Sequence, residues 1–342
     1  MKNGRYQIVT TTWHVMHFWD LFNALKDDAD FFLIHNTHRN WAAKTFLAAR
    51  PVPANASFVP TYEPGKYDLA ILDVDQQCVN MALGKSKLPR ELKKLITDIP
   101  RIFINHATPV YPEHLCKEGM DKPAAEAECR RLIQQIVGDD TMVVNSHTAA
   151  SGAEWGWGFP IWHGMEPAEW LDLPKEPRVF TALSPAGCDE YYNRDVMVRV
   201  SELLKDRYGH TLWWAKNNIK TEESLDDYKT FLGRSLIYLD ASFRTPMNRA
   251  RTEAMLSGCC VVQVEGAHDL DQPVSSGKLG DYMVLVPNKP EVIAERVADM
   301  IEHEYDKCLE IGKRGKEMAM QTFTRERYRQ GWLTIIRSVL KS

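Results

Sequence analysis

The chain has 342 residues, of which 44% are hydrophobic and 26% charged, and a formal net charge of −4. These fractions fit a globular protein long enough for two domain cores, and they exclude disordered and collagen-like classes. A charge so near neutral leaves no footprint for nucleic acid, and no apolar run approaches membrane-spanning length.

The first residues, Met1 to His14, lack the layout of a signal peptide, because their short apolar stretch reads as a strand. The expected location is cytoplasmic, with peripheral membrane contact left open. The seven cysteines (78, 116, 129, 188, 259, 260 and 308) are odd in number and scattered, which points to reduced thiols. Cys259 and Cys260 are neighbours on an expected strand, so they point to opposite faces and read as core residues.

In the N-terminal half, short apolar β-prone runs alternate with helical patterns. Strands are expected at Tyr6–Thr11, Phe31–Ile34, Leu69–Leu72, Ile102–Ile104 and Met142–Val144. Helices are expected near His17–Lys26, Asn40–Ala49, Arg90–Thr97 and Pro123–Val137. This rhythm predicts a parallel sheet covered by helices. An apolar segment, Phe159 to Met165, then runs into Glu166-Pro167 and a proline- and charge-rich stretch, which marks a domain boundary near 165–177.

The rhythm repeats afterwards. Strands are expected at Val179–Leu183, Leu212–Trp214, Leu236–Leu239, Cys259–Val264 and Tyr282–Val286. Helices are expected at Asp195–Arg207, Glu222–Leu232, Pro290–Glu304 and Tyr305–Met320, with an amphipathic helix from Phe323 to Leu340. Within 235–264, Thr245-Pro246 reads as an N-cap followed by proline at the first helical position, and Gly258 as the glycine that ends that helix. The N–H groups at such a helix start suit a phosphate. On the helix, Glu253 has two readings: a carboxylate for ribose hydroxyls, or a surface ion pair with Arg249 four residues earlier.

Thr252-Glu253-Ala254-Met255, Ser257-Gly258 and Val261-Val262 resemble the C-terminal signature of GT-B glycosyltransferases, particularly the group-1 (family 4) retaining enzymes. The resemblance implies an α/β fold of two Rossmann-like domains facing a cleft. It divides the chain into an acceptor-side domain (1–165), a nucleotide-sugar-binding domain (166–325) and a terminal helix (326–342) returning to the N-terminal domain. The implied activity is hexosyltransferase-like transfer from a nucleotide-sugar donor to a hydroxyl acceptor, a glycan or glycolipid, with retention and without a metal or cofactor. Two alternatives are a GT-B nucleotide-sugar epimerase and a non-catalytic nucleotide- or polysaccharide-binding relative.

By the same resemblance Glu253 holds the ribose, while Thr245, Pro246, Met247, Asn248 and Arg249 form the donor-binding helix start. Thr245 stands where the family has its first glutamate. Arg194 and Lys216 are the basic candidates for offsetting diphosphate charge, and His106, after a buried strand, is the histidine expected to face the sugar. In isolation Arg194 and Lys216 read as surface cations and His106 as a hydrogen-bonded loop residue. His14 and His17 stand where a Gly-rich turn would otherwise be, and they have no third and fourth metal ligand at usable spacing. Asp73 and Asp75 form a D-x-D read as a loop cap. Trp155 and Trp157 read as either buried packing or a sugar platform. Asn145-Ser146-His147 follow a strand without an assigned role.

Overall fold

The computed structural model describes residues 4–11, 15–34, 50–109, 115, 119–152, 154–183, 193–215, 225–242, 249–265 and 281–341. The expected helix at Asn40–Ala49 lies outside them. The chain divides into two compact units: 1–164 together with 325–342, and 165–324.

The first unit is built on β1 (Tyr6–Thr10), β2 (Ala29–Ile34), β3 (Ala56–Val59), β4 (Leu69–Asp73), β5 (Arg101–Asn105), β6 (Thr141–Val144) and β7 (Phe159–Pro160). They pair in parallel in the order β3-β2-β1-β4-β5-β6-β7. The topological switch therefore falls between β1 and β4. Alternation sorts the side chains. Ile8, Ile71, Ile102, Ile104 and Val143 enter one apolar cluster with α1 (Val15–Ala24). Val9, Ala70, Leu72, Phe103, Met142 and Val144 enter the other, with α2 (Gly84–Leu95) and α3 (Lys122–Val137). Burial on both faces is what makes these strands near-continuous apolar runs.

β3 and the start of α2 are among the departures from expectation. β3 follows Pro51 and Pro53 and is partly exposed along its length, so it carries no apolar run to betray it. Its place is set by register, Phe31 pairing with Ala56 and Ile34 with Val59. Helix α2 starts at Gly84 rather than Arg90 and carries Pro89 inside it, a residue that normally ends or kinks a helix.

The second unit has β8 (Glu176–Thr181), β9 (Leu212–Trp214), β10 (Ser235–Asp240), β11 (Cys260–Val264) and β12 (Val284–Val286). Their order is β12-β11-β10-β8-β9, again parallel, so this switch falls between β8 and β10. After the one-turn α4 (His147–Ala150) of the first unit come α5 (Arg194–Tyr208), α6 (Leu225–Arg234), α7 (Arg249–Leu256), α8 (Pro290–His303) and α9 (Tyr305–Thr322). Gly258 ends α7 with φ +73°, and the N–H groups of Gly258 and Cys259 bond to the carbonyls of Met255 and Ala254. That is the pair of bonds by which a left-handed glycine closes a helix.

Helix α10 (Arg325–Val339) belongs to the first unit. Tyr328, Trp332, Leu333 and Ile336 enter the cluster of Ile8 and Phe22. Arg329 donates to both carboxylate oxygens of Asp28 at 2.7 Å. Among the described residues, no helix is long and apolar enough to cross a membrane.

Candidate active site

In open parallel sheets a ligand binds beyond the carboxyl ends of the strands, at the switch point. In the second unit that point is bounded by Thr181 at the end of β8 and by Asp240 and Ser242 at the end of β10. Asn193, in the left-handed region at φ 56°, donates to the Ala241 carbonyl at 3.0 Å and to Asn288 Oδ1 at 2.7 Å. It thus ties the end of β10 to the start of α5. Asp240 Oδ1 accepts from both the N–H and the hydroxyl of Ser242. From β11, Gln263 donates through Nε2 to the Ser242 carbonyl at 2.8 Å, and its Oε1 lies 3.4 Å from the buried Arg251 guanidinium. This set of bonds fixes the backbone that leads out of β10.

Helix α7 follows. Glu253 is 5% exposed, and both of its carboxylate oxygens have partners. Oε2 accepts from the Tyr228 hydroxyl at 2.8 Å, and Oε1 lies 2.9 Å from Arg249 Nε. The expected Arg249 pair therefore exists, but it is buried rather than on the surface. Burial, then the neighbouring Glu253 charge, pushes the Tyr228 hydroxyl well above its ordinary range, so it stays a donor. Tyr238, under the same helix, is raised by burial first and by Asp240 next.

The other expected residues separate into two groups. Lys216, Thr245, Pro246, Met247 and Asn248 lie outside the described residues. Arg194 opens α5 at the switch point, where it is 46% exposed and 3.3 Å from its neighbour Asp195. Arg249 and Glu253 are brought together with Tyr228. Tyr228, Arg251 and Gln263 were not legible in the sequence. Tyr228 meets Glu253 across 25 residues, and Arg251 is two residues from Glu253, on a different face of α7.

In the first unit, His106 follows β5 and stacks on His17, with ring centroids 3.8 Å apart and planes 12° from parallel. Asn145 Nδ2 approaches the His106 carbonyl at 3.5 Å. Trp155 is buried in the core and donates through Nε1 to the Ala107 carbonyl at 2.8 Å, which makes it packing and not a sugar platform. His147 meets the Trp162 ring edge-on. Asp75 caps the short helix Gln76–Val79 through the Gln77 N–H, as a loop cap should, while Asp73 ends β4 buried. Cys78, Cys129, Cys259, Cys260 and Cys308 are buried thiols that form no disulfide with one another. Among the described residues, no three His, Cys, Asp or Glu side chains converge as a metal site.

No family model matches the chain, and no curated protein sequence does either. Solved structures do. Sucrose-phosphate synthase from Thermosynechococcus elongatus superposes with a TM-score of 0.67 at 11% identity, covering 98% of this chain and 100% of that one. Anabaena HepE, in complex with UDP and glucose, gives 0.65 at 14% identity over 98% and 100%. A UDP-glucosyltransferase from Polygonum tinctorium that glucosylates indoxyl gives 0.54 at 10% identity over the whole of both chains. Likeness at such identities shows the fold, and the fold is that of the GT-B glycosyltransferases.

Proposed function

We propose that this chain is a nucleotide-sugar-dependent glycosyltransferase that moves a sugar, with retention, onto a hydroxyl of a glycan or glycolipid. The observation that carries the reading is the position of Glu253: a carboxylate on the helix that follows the switch strand β10, in a fold whose solved relatives include HepE with UDP-glucose bound. In this reading Glu253 accepts from the ribose hydroxyls. The segment 245–248 supplies N–H groups to the phosphates, and Arg194 or Lys216 offsets the charge of the departing diphosphate. His106 acts on the transferred sugar. The acceptor hydroxyl attacks from the leaving-group side, and a donor phosphate oxygen takes its proton. The protein's contribution is then to position the reactants and stabilise the leaving diphosphate.

The deciding experiment is calorimetric titration of UDP, ADP and GDP into wild type and Glu253→Ala. Loss of charge-assisted hydrogen bonds should weaken the diphosphate that binds by about 1.5–3 kcal/mol. Unchanged affinity would leave Glu253 a structural ion-pair partner of Arg249. Metal-independent turnover is expected as well, and its loss in EDTA with rescue by Mg²⁺ or Mn²⁺ would return Asp73 and Asp75 to consideration. Thr245 in the place of the family's first glutamate favours a second reading, a non-catalytic nucleotide binder. Donor hydrolysis in the absence of acceptor would dismiss it.

A further inference from the structure

The Glu253 carboxylate accepts from the Tyr228 hydroxyl at Oε2, 2.8 Å away, and pairs with Arg249 at Oε1, 2.9 Å away. A carboxylate has about four acceptor positions, so these two bonds do not exhaust it, and hydroxyls can be accepted with both partners in place. The two partners fix it against different things. Arg249 stands one turn earlier on the same helix, a contact within α7 that does not by itself refer the carboxylate to the sheet. Tyr228 reaches it from α6, across 25 residues of sequence. Tyr228 is 3% exposed, with its ring edge-on to Trp170 and tilted against the buried Phe180 of β8. Phe180 precedes Thr181, which bounds the switch point. The Tyr228 hydroxyl therefore refers the carboxylate to the strand at whose end a ligand would lie, and burial keeps that hydroxyl a donor.

We infer that Tyr228 is a positioning residue that makes the site selective for ribose: its hydroxyl holds Glu253 Oε2 so that the carboxylate meets both ribose hydroxyls of the donor in one orientation. This rests on the donor-site reading above. The physical reason is preorganisation. A glutamate side chain is long and rotatable, and a bond to a donor packed in the core removes freedom that binding would otherwise have to freeze. Two vicinal hydroxyls ask more of that orientation than one does, because both must meet acceptor positions at the same time. A nucleotide that lacks the 2′- or the 3′-hydroxyl makes no such double demand. Loss of the Tyr228 hydroxyl therefore falls chiefly on ribonucleotides.

Whichever of UDP, ADP and GDP binds wild type is titrated beside its 2′-deoxy and 3′-deoxy counterparts into wild type and Tyr228→Phe, with thermal unfolding as the folding control. Phenylalanine keeps the ring against Trp170 and Phe180 and removes only the hydroxyl. The ribonucleotide should bind the variant about tenfold more weakly, and the deoxy counterparts at most about twofold, so that the wild-type preference for ribose collapses. A tyrosine with a merely structural role would weaken all of these ligands alike or none of them. Either result overturns the assignment, while a wild-type preference for ribose keeps the donor site. Should Tyr228→Phe not fold, a crystal structure of wild type with the bound diphosphate decides: Tyr228 should still donate to Oε2 while the ribose hydroxyls donate to the same carboxylate. A Tyr228 turned away from a ribose-bound Glu253 overturns the positioning role alone. Ribose bound away from Glu253, wild type that binds without preferring ribose, or wild type that binds none of the three diphosphates removes the donor-site reading, and this assignment with it.

Discussion

The imidazole of His17 lies flat against that of His106, with ring centroids 3.8 Å apart. His17 sits in the first turn of α1 and His106 just beyond β5, two places from β1 in the sheet order. One stack thus sets the ring plane of His106, while the bond from Trp155 to Ala107 holds the backbone beside it. If His106 acts on the sugar, His106→Ala should lower turnover about 100-fold, roughly 2.7 kcal/mol of barrier, with donor affinity little changed. His17→Ala should remove a stacking contribution of about 1 kcal/mol, and His17→Phe should retain most of it. Steady-state kinetics and unfolding on the same samples check both. Wild-type turnover in His106→Ala would remove His106 from the mechanism.

Lys175 is a buried cation that closes two helices. Its ammonium donates to the carbonyls of Gly233 at 2.7 Å and Ser257 at the ends of α6 and α7, and lies 3.5 Å from Asp172. Lys175→Met leaves these carbonyls without their donor and should destabilise the second unit by about 3 kcal/mol. Gly258 is a companion case. At φ +73° a Cβ is strained, and it would lie 2.5 Å from Asp172 Oδ1, a carboxylate already paired with Lys175 and Lys316. Gly258→Ala should cost about 2 kcal/mol. Denaturant melts that leave either variant at wild-type stability would contradict this account.

The terminal helix should be indispensable to the first unit. Trp332 is fully buried among residues of β1, β2 and α1, and Arg329 clamps Asp28. Trp332→Ala should destabilise by about 3–5 kcal/mol, and Arg329→Ala by about 1 kcal/mol because its pair is partly exposed. Hydrogen exchange can localise the damage. Loss of protection confined to 165–324 would be the wrong outcome.

Acid should loosen the join between α8 and α9. Arg296, by hydrogen bonding first, and Lys307 hold the Glu304 carboxyl below its ordinary range. A carboxyl depressed on folding stabilises above its unfolded pKa, and that stability is lost as pH falls through the folded value. Glu304→Gln should therefore cost about 0.5–1 kcal/mol at pH 7, discounted for partial exposure, and the deficit should shrink as acid protonates the wild-type carboxyl. A deficit that persists at pH 3 would point to packing rather than charge.

Much of the fold was legible because its strands are buried on both faces. Leu69 to Leu72 and Leu236 to Leu239 read as apolar runs for the reason that they lie inside parallel sheets. Helix ends were legible where one residue carries the geometry, as Gly258 does. β3 escaped because an exposed edge strand needs no apolar run, and the first turns of α2 escaped because Pro89 sits within it. The resemblance singled out Glu253, and helical spacing alone found its pair with Arg249, since four residues return to the same face.

What the sequence determined by itself is therefore local: the alternation of strand and helix, the stop at Gly258, the i to i+4 contact of Arg249 and Glu253. These depend on backbone geometry within a few residues. The tertiary structure alone decided that this pair is buried, that Tyr228 completes it from another helix, and that His17 fixes His106. Each of these depends on chain segments tens of residues apart meeting in a sheet order, β12-β11-β10-β8-β9 or β3-β2-β1-β4-β5-β6-β7, that is set by collective burial of both faces. No single stretch of residues encodes such an order.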